Sequence, residues 1–242
     1  MKYDATMDYS DSLYGLAAHY QELLEEVDGW FQRSLEQFPD RISCKKGCSL
    51  CCRGLFDITL LDALLLQQGF KSLPQQEQER VMQRTECVID TVRQIWPDFS
   101  APWLLNSYPE GQYSLAMPEE DETPCVLLDD DGFCLVYAHR PMTCRLNGIP
   151  QIDISGEIMS DEWCSLNFRG IDPSAELSLR FHFREIFIQE QLLFRELTRR
   201  LLGQPFNELD TLVPAALLIN FADFTLPEKL WNRSSHLPLA AQ

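Results

Sequence analysis

Apolar residues recur at helical intervals along most of this chain and alternate in short runs through its middle. Leu13, Leu16, Tyr20, Leu23, Val27 and Trp30 stand three or four residues apart, and with Phe38 they predict a helix from about Ser12 to Phe38, stopped by Pro39. Thr59 with Asp62 forms a capping-box pattern ahead of Leu60, Leu61, Leu64 and Leu65, which predicts a short helix ended by Gly69. Ser72 with Gln75, and Pro74 in the first turn, open a further helix through Val81, Val88, Val92 and Ile95 that stops before Pro97. Asp172 and Pro173 begin a long amphipathic helix marked by Leu179, Phe183, Ile186, Phe187, Leu193, Leu197 and Leu201 and ended by Gly203. A shorter helix is expected from Thr211 to Phe221.

The middle of the chain reads differently. Residues 97–124 are proline-rich and carry the acidic run Glu119–Glu122, the mark of an irregular connection. Cys125–Leu128, a turn over Asp129–Gly132, and Phe133–Tyr137 read as a hairpin. With Leu128 opposite Phe133, Cys134 would face Leu127, and Cys125 and Cys134 would be diagonal neighbours on one face. Gln151–Ile154, a Ser155–Gly156 turn and Glu157–Met159 read as a second hairpin, which delivers Cys164 after Trp163. The fold class these elements define is mostly α: one helical domain over residues 1–242 with small β-hairpins around a cysteine-ligated metal site. Its cysteine core spans 44–164 and its C-terminal helical scaffold 172–221.

Composition narrows the function. With 242 residues the chain can bury a core without disulfides. A net charge of -17 opposes binding to nucleic acid or to an anionic membrane, and leaves a basic protein as the partner an acidic surface would attract. The N-terminal residues lack the basic start and apolar run of a signal segment, and no stretch offers about 18 uncharged apolar residues. A cytoplasmic protein is expected, and there nine cysteines read as metal ligands more readily than as a disulfide framework.

Four of those cysteines, Cys44, Cys48, Cys51 and Cys52, fall within nine residues. On a helix all four would occupy about a third of the circumference, while Gly47 favours a loop feeding a helix N-terminus. Adjacent Cys51 and Cys52 cannot easily form an ordinary disulfide, so they are better read as ligands, to different metals or with one as a spare. Lys45, Lys46 and Arg53 form a local basic cluster that would offset the charge of thiolates. Cys87 stands alone in its helix and reads as a free structural thiol.

The combination of Cys44-x3-Cys48-x2-Cys51-Cys52 with Cys125-x8-Cys134-x2-Tyr137-x2-Arg140-Pro141-x2-Cys144-Arg145 resembles the YkgJ-type cysteine-cluster family, described as zinc- or iron-chelating. The resemblance covers about Cys44 to Cys164 and implies eight candidate ligands: Cys44, Cys48, Cys51, Cys52, Cys125, Cys134, Cys144 and Cys164. Its members include flagellin lysine N-methylases associated with an iron-sulfur cluster and S-adenosylmethionine. The first three cysteines also match the C-x3-C-x2-C spacing of radical S-adenosylmethionine enzymes, without the run of βα units that usually follows it.

Thiolate-only ligation suits tetrahedral zinc or an iron-sulfur cluster. The crowded spacing, the vicinal pair and the nearby cations favour the cluster, of the 4Fe-4S type. Arg140 and Arg145 either pair with carboxylates as structure, or hydrogen-bond the sulfur of the centre or hold a substrate carboxylate as function; the place beside the centre, tuning it, is the reading favoured. His139 reads as a neighbour of the centre or a surface residue, Tyr137 as a packed aromatic, and His19 and His182 as scaffold. The expected function is cysteine-ligated metal binding, iron-sulfur in kind, with S-adenosylmethionine-dependent group transfer as its catalytic extension. The alternative is a zinc-stabilised structural, interaction or metal-handling protein without catalysis.

Overall fold

The computed structural model describes residues 5–108, 121–228 and 230–231, which form a mostly helical structure with two small sheets. Helix α1 (Ala5–Gln37) buries Leu13, Leu16, Tyr20, Leu23, Val27 and Trp30 along one stripe, as its periodicity requires. Trp30 anchors it: the indole Nε1 donates to the Leu179 carbonyl at 2.8 Å, and the ring meets Phe183 edge-on at 4.8 Å.

Helix α2 (Leu60–Lys71) starts on the expected capping box. The Thr59 hydroxyl accepts from the Asp62 N–H at 3.0 Å, and the Asp62 carboxylate accepts from the Thr59 N–H at 3.2 Å. Ten of its twelve residues are buried, so the helix is sunk in the core. It runs through Gly69, where the sequence suggests a stop, because the glycine makes room for a neighbour: a Cβ there would sit 2.7 Å from His139. Ser72, expected to cap the next helix, closes this one by donating its hydroxyl to the Gly69 carbonyl at 2.7 Å. Helix α3 (Gln75–Ile95) therefore begins behind Pro74 without a side-chain cap. The connection that follows is irregular apart from a 3-10 turn at Leu105–Ser107, and Glu119 and Glu120 of the acidic run lie outside the described residues.

Helix α4 (Met142–Leu146), strands β2 (Gln151–Asp153) and β3 (Ile158–Ser160), strand β4 (Arg180–Phe181), helix α5 (Phe183–Leu202), strand β5 (Asp210–Leu212) and helix α6 (Val213–Ala216) complete the fold, with β1 at Asp57–Thr59. The β2–β3 hairpin forms as its pattern predicts, and β4 joins β2 in parallel with Ile152 opposite Arg180. That pairing explains why the long helix begins at Phe183 and not at Asp172. Asp172 caps only a 3-10 turn at Pro173–Ala175, and the backbone of Arg180–Phe181 is drawn into the sheet. The helix expected over Thr211–Phe221 is likewise reduced to the four residues of α6. Thr211 pairs with Ile58 in the antiparallel β1–β5 ladder, and its hydroxyl donates to the Trp103 carbonyl at 2.7 Å. Among the described residues no helix is long and apolar enough to cross a membrane.

Candidate metal centre

The four-cysteine run is neither a helix nor a direct lead into one. It makes two successive turns, closed by the Cys48 N–H on the Lys45 carbonyl at 2.9 Å and the Cys52 N–H on the Ser49 carbonyl at 3.0 Å. Gly47, inside the first turn, takes a φ of 84°, and the run continues into β1. The later cysteine segment is tied to it by backbone bonds from Gly54 to the Thr123 carbonyl at 2.8 Å and from Cys125 to the Cys52 carbonyl at 2.9 Å.

The turn over Asp129–Gly132 brings Cys134 back, one residue out of the expected register: Leu128 faces Cys134, not Phe133. The cause is the Asp129 side chain, whose Oδ1 accepts from the Asp131 N–H at 3.0 Å and the Phe133 N–H at 2.7 Å and so draws Phe133 into the loop. Arg80 and Arg84 of α3 hold this loop through Asp130 and the Leu128 carbonyl. Cys125 and Cys134 remain close, and both are electrostatic neighbours of Cys144 on α4.

Six of the eight sequence candidates, Cys48, Cys51, Cys52, Cys125, Cys134 and Cys144, line one cavity of about 110 Å³. Cys44 and Cys164 stand beside it, joined through Asn167: its Nδ2 donates to the Cys44 sulfur at 3.3 Å, and its N–H donates to the Cys164 carbonyl at 2.8 Å. Cys87 is exposed on α3. Among the described residues no three Cys, His, Asp or Glu side chains meet closely enough, as they stand, to hold one ion. Ligation calls for the thiols to rotate onto it.

The donor set suits a soft metal. Burial pushes the Cys125 thiol up to about 11 and the Cys144 thiol well above its ordinary range, with neighbouring cysteines adding to both. Cys51 is raised by its hydrogen bond with Cys52 and then by burial. Grouped thiols that resist ionisation alone become good ligands once a cation replaces their protons. Arg140 is a cation held at the cavity: it forms part of the lining, donates to Asp28 at 3.3 Å, stacks 3.7 Å over the Tyr137 ring and favours ionisation of Cys51, Cys134 and Cys144. Arg145 points elsewhere. It is buried and donates to Asp28 of α1 and to the Arg140 and Ala138 carbonyls, locking the loop that leads into α4 and Cys144. His139 rests on Gly69, and His182 precedes α5 with its Nε2 3.3 Å from Glu26.

Sequence reasoning gave no role to the other face of α4. There a cavity of about 460 Å³ is walled by Asp57, Asp62, Glu162, Glu190 and Asp210, with Cys164 at its edge and no lysine or arginine in its lining. The Tyr20 hydroxyl lies 2.7 Å from Asp62 Oδ1 and 2.9 Å from Glu190 Oε1. One hydroxyl carries one proton. Asp62 already accepts from the Met142 N–H and from the N–H and hydroxyl of Thr59, so it takes the tyrosine proton as a carboxylate, and Glu190 holds its own. Burial raises both acids, Glu190 to about 7; burial and Glu208 raise Asp210 to about 8.

A pH dependence follows. With folded values raised, the folded chain binds more protons than the unfolded one between the ordinary carboxylate range and about pH 8, so stability falls as pH rises through that window. Glu190→Gln keeps a donor toward Tyr20 and removes one titration. Its urea midpoint should decline less than the parent's from pH 5 to pH 8; parallel profiles would refute the assignment.

A family model described as "CxxCxxCC: Putative zinc- or iron-chelating domain" matches residues 43–165. That span is half of the chain, and the protein belongs to this cysteine-cluster family. No curated protein and no solved structure matches the chain.

Proposed function

We propose that the protein binds metal through cysteines of both segments, as an iron-sulfur centre that ties the Cys44–Cys52 loop to the Cys125–Cys144 segment. The observation that carries this reading is the convergence of six thiols, from separate parts of the chain, on one cavity. A thiolate-ligated cluster supplies electron-transfer chemistry, or Lewis-acid chemistry where a coordination position stays open. The chain's own residues would hold it and set its surroundings: Arg140 supplies positive charge at the cavity wall, Asn167 an N–H to the Cys44 sulfur, and Lys46 a second cation in the lining. For the catalytic extension, the carboxylate-lined cavity behind α4 is where a cationic group would be received.

The test is anaerobic purification with iron, zinc and acid-labile sulfide counted per chain beside a visible spectrum. Iron and sulfide in near-equal amounts with broad visible absorption is the expected result, and added S-adenosylmethionine then reports any open position by changing that spectrum. A colourless protein with stoichiometric zinc would replace the iron-sulfur assignment by the structural or metal-handling one.

A further inference from the structure

The cavity that six thiols line includes neither Cys44 nor Cys164, and the backbone brings those two together elsewhere. Residues 41–44 and 164–168 run side by side in opposite directions. The Phe168 N–H donates to the Arg41 carbonyl at 2.8 Å, the Ser43 N–H to Asn167 Oδ1 at 2.8 Å, and the Ser43 hydroxyl to the Leu166 carbonyl at 3.0 Å. Carried one residue further, the same pairing sets Cys44 against Ser165, next to Cys164.

One carbonyl then serves both cysteines. That of Gly148 accepts from the Cys164 N–H at 3.2 Å and from Asn167 Nδ2 at 2.6 Å, and the same Nδ2 donates to the Cys44 sulfur at 3.3 Å. Gly148 has a φ of 114°, and a Cβ there would lie 3.2 Å from that sulfur, so the chain passes against the thiol only because the residue is glycine. Both cysteines are half-buried free thiols. Cys164 also lines the 460 Å³ cavity behind α4, where five carboxylates and no lysine or arginine repel an anionic oxidant such as glutathione disulfide but not an uncharged one.

We propose that Cys44 and Cys164 are a redox pair, which an uncharged peroxide closes to a disulfide and a dithiol reductant reopens, while the six cavity thiols hold the metal. The Cys164 sulfur takes one peroxide oxygen as a sulfenic acid, and the other oxygen leaves as water. The Cys44 sulfur, whose thiolate the Asn167 N–H favours, attacks that sulfur; the S–S bond forms, the S–O bond breaks and a second water departs. Two thiols and one peroxide thus give one disulfide and two waters. In reversal the dithiol is oxidised to its own disulfide and both cysteines return as thiols.

The division into six ligands and two free thiols rests on the metal-binding reading above; the pairing itself does not. The full chain is loaded with zinc(II), treated with one equivalent of hydrogen peroxide, unfolded, alkylated and mapped by peptide mass. A disulfide joining the Cys44 and Cys164 peptides is expected, with zinc per chain unchanged and full reversal by dithiothreitol, while glutathione disulfide at the same concentration forms far less of it. Links from either cysteine to other partners, or both still free to be alkylated, would overturn the pair; equal reaction with glutathione disulfide would overturn the uncharged oxidant. The double variant Cys44→Ser, Cys164→Ser should bind as much zinc as the parent, whereas Cys134→Ser should lose it. Zinc lost from the double variant would make the two cysteines ligands and refute the division. Should either variant fail to fold, the parent's peptide map still decides the pairing. A parent that takes up no zinc yet forms the link would sink the metal-binding reading and leave the pair standing; neither zinc nor link would sink both.

Discussion

A chelator that removes metal from the full chain should strip hydrogen-exchange protection from residues 44–56 and 121–137 while α1, α2 and α5 keep theirs. The cysteine segments contain turns, two isolated bridges and a handful of backbone bonds, with thiols that ionise poorly when buried. The three helices form the body of the main apolar cluster, with Leu24, Val27 and Trp30 of α1, Leu61 and Leu65 of α2, and Ile186, Phe194 and Leu197 of α5, and the two segments add Val126, Leu127 and Val136 to it. Structural zinc contributes roughly 10–16 kcal/mol in small domains, so the local opening energy of these two segments should fall by about 5 kcal/mol or more. The loss should be confined to them and should reverse on adding metal back. Unchanged protection would mean that metal does not join the segments. Uniform loss would mean that the helical core depends on the centre.

Asp62→Ala is expected to destabilise the protein by about 3–5 kcal/mol, the largest effect of any single non-cysteine substitution in the region. Asp62 is 2% exposed and meets four donors: the Tyr20 hydroxyl, the Met142 N–H, and the N–H and hydroxyl of Thr59. Alanine would leave the Met142 N–H buried and unpaired, at about 1–3 kcal/mol, would take from the Tyr20 hydroxyl one of its two carboxyl partners, at about 1 kcal/mol, and would remove half of the capping box at about 1 kcal/mol. Release of the desolvated carboxylate offsets part of the sum. The Met142 N–H also opens α4, which carries Cys144, so its amide should exchange faster than those of α2. Urea denaturation with site-resolved exchange reads both. A loss under about 1 kcal/mol would show that this carboxylate does not organise the region.

Much of the framework was legible because it depends on local chemistry. The stripe of α1, the Thr59–Asp62 capping box, the Ser155–Gly156 hairpin turn and Gly203 closing α5 with a φ of 77° each follow from residues within one or two turns of one another. The elements that differed were overruled by distant partners. Thr211 became a strand residue because β1 offered it a ladder, and Asp172–Phe181 left the helical register because β2 paired with β4. Ser72 and Gly69 changed roles for the same kind of reason, one closing the helix before it and the other yielding space to His139.

The amino-acid sequence by itself determined the helical class, the cysteine segments and the soft, thiol-rich chemistry, since periodicity and donor type are properties of the chain alone. Only the tertiary structure decided which thiols share a cavity, that Arg140 and Arg145 both pair with Asp28 while only Arg140 also lines the cysteine cavity, and that Tyr20, Asp62 and Glu190 come from three helices to share too few protons. Those outcomes depend on side chains as many as 170 positions apart meeting where water is excluded, and spacing along the chain does not encode such meetings.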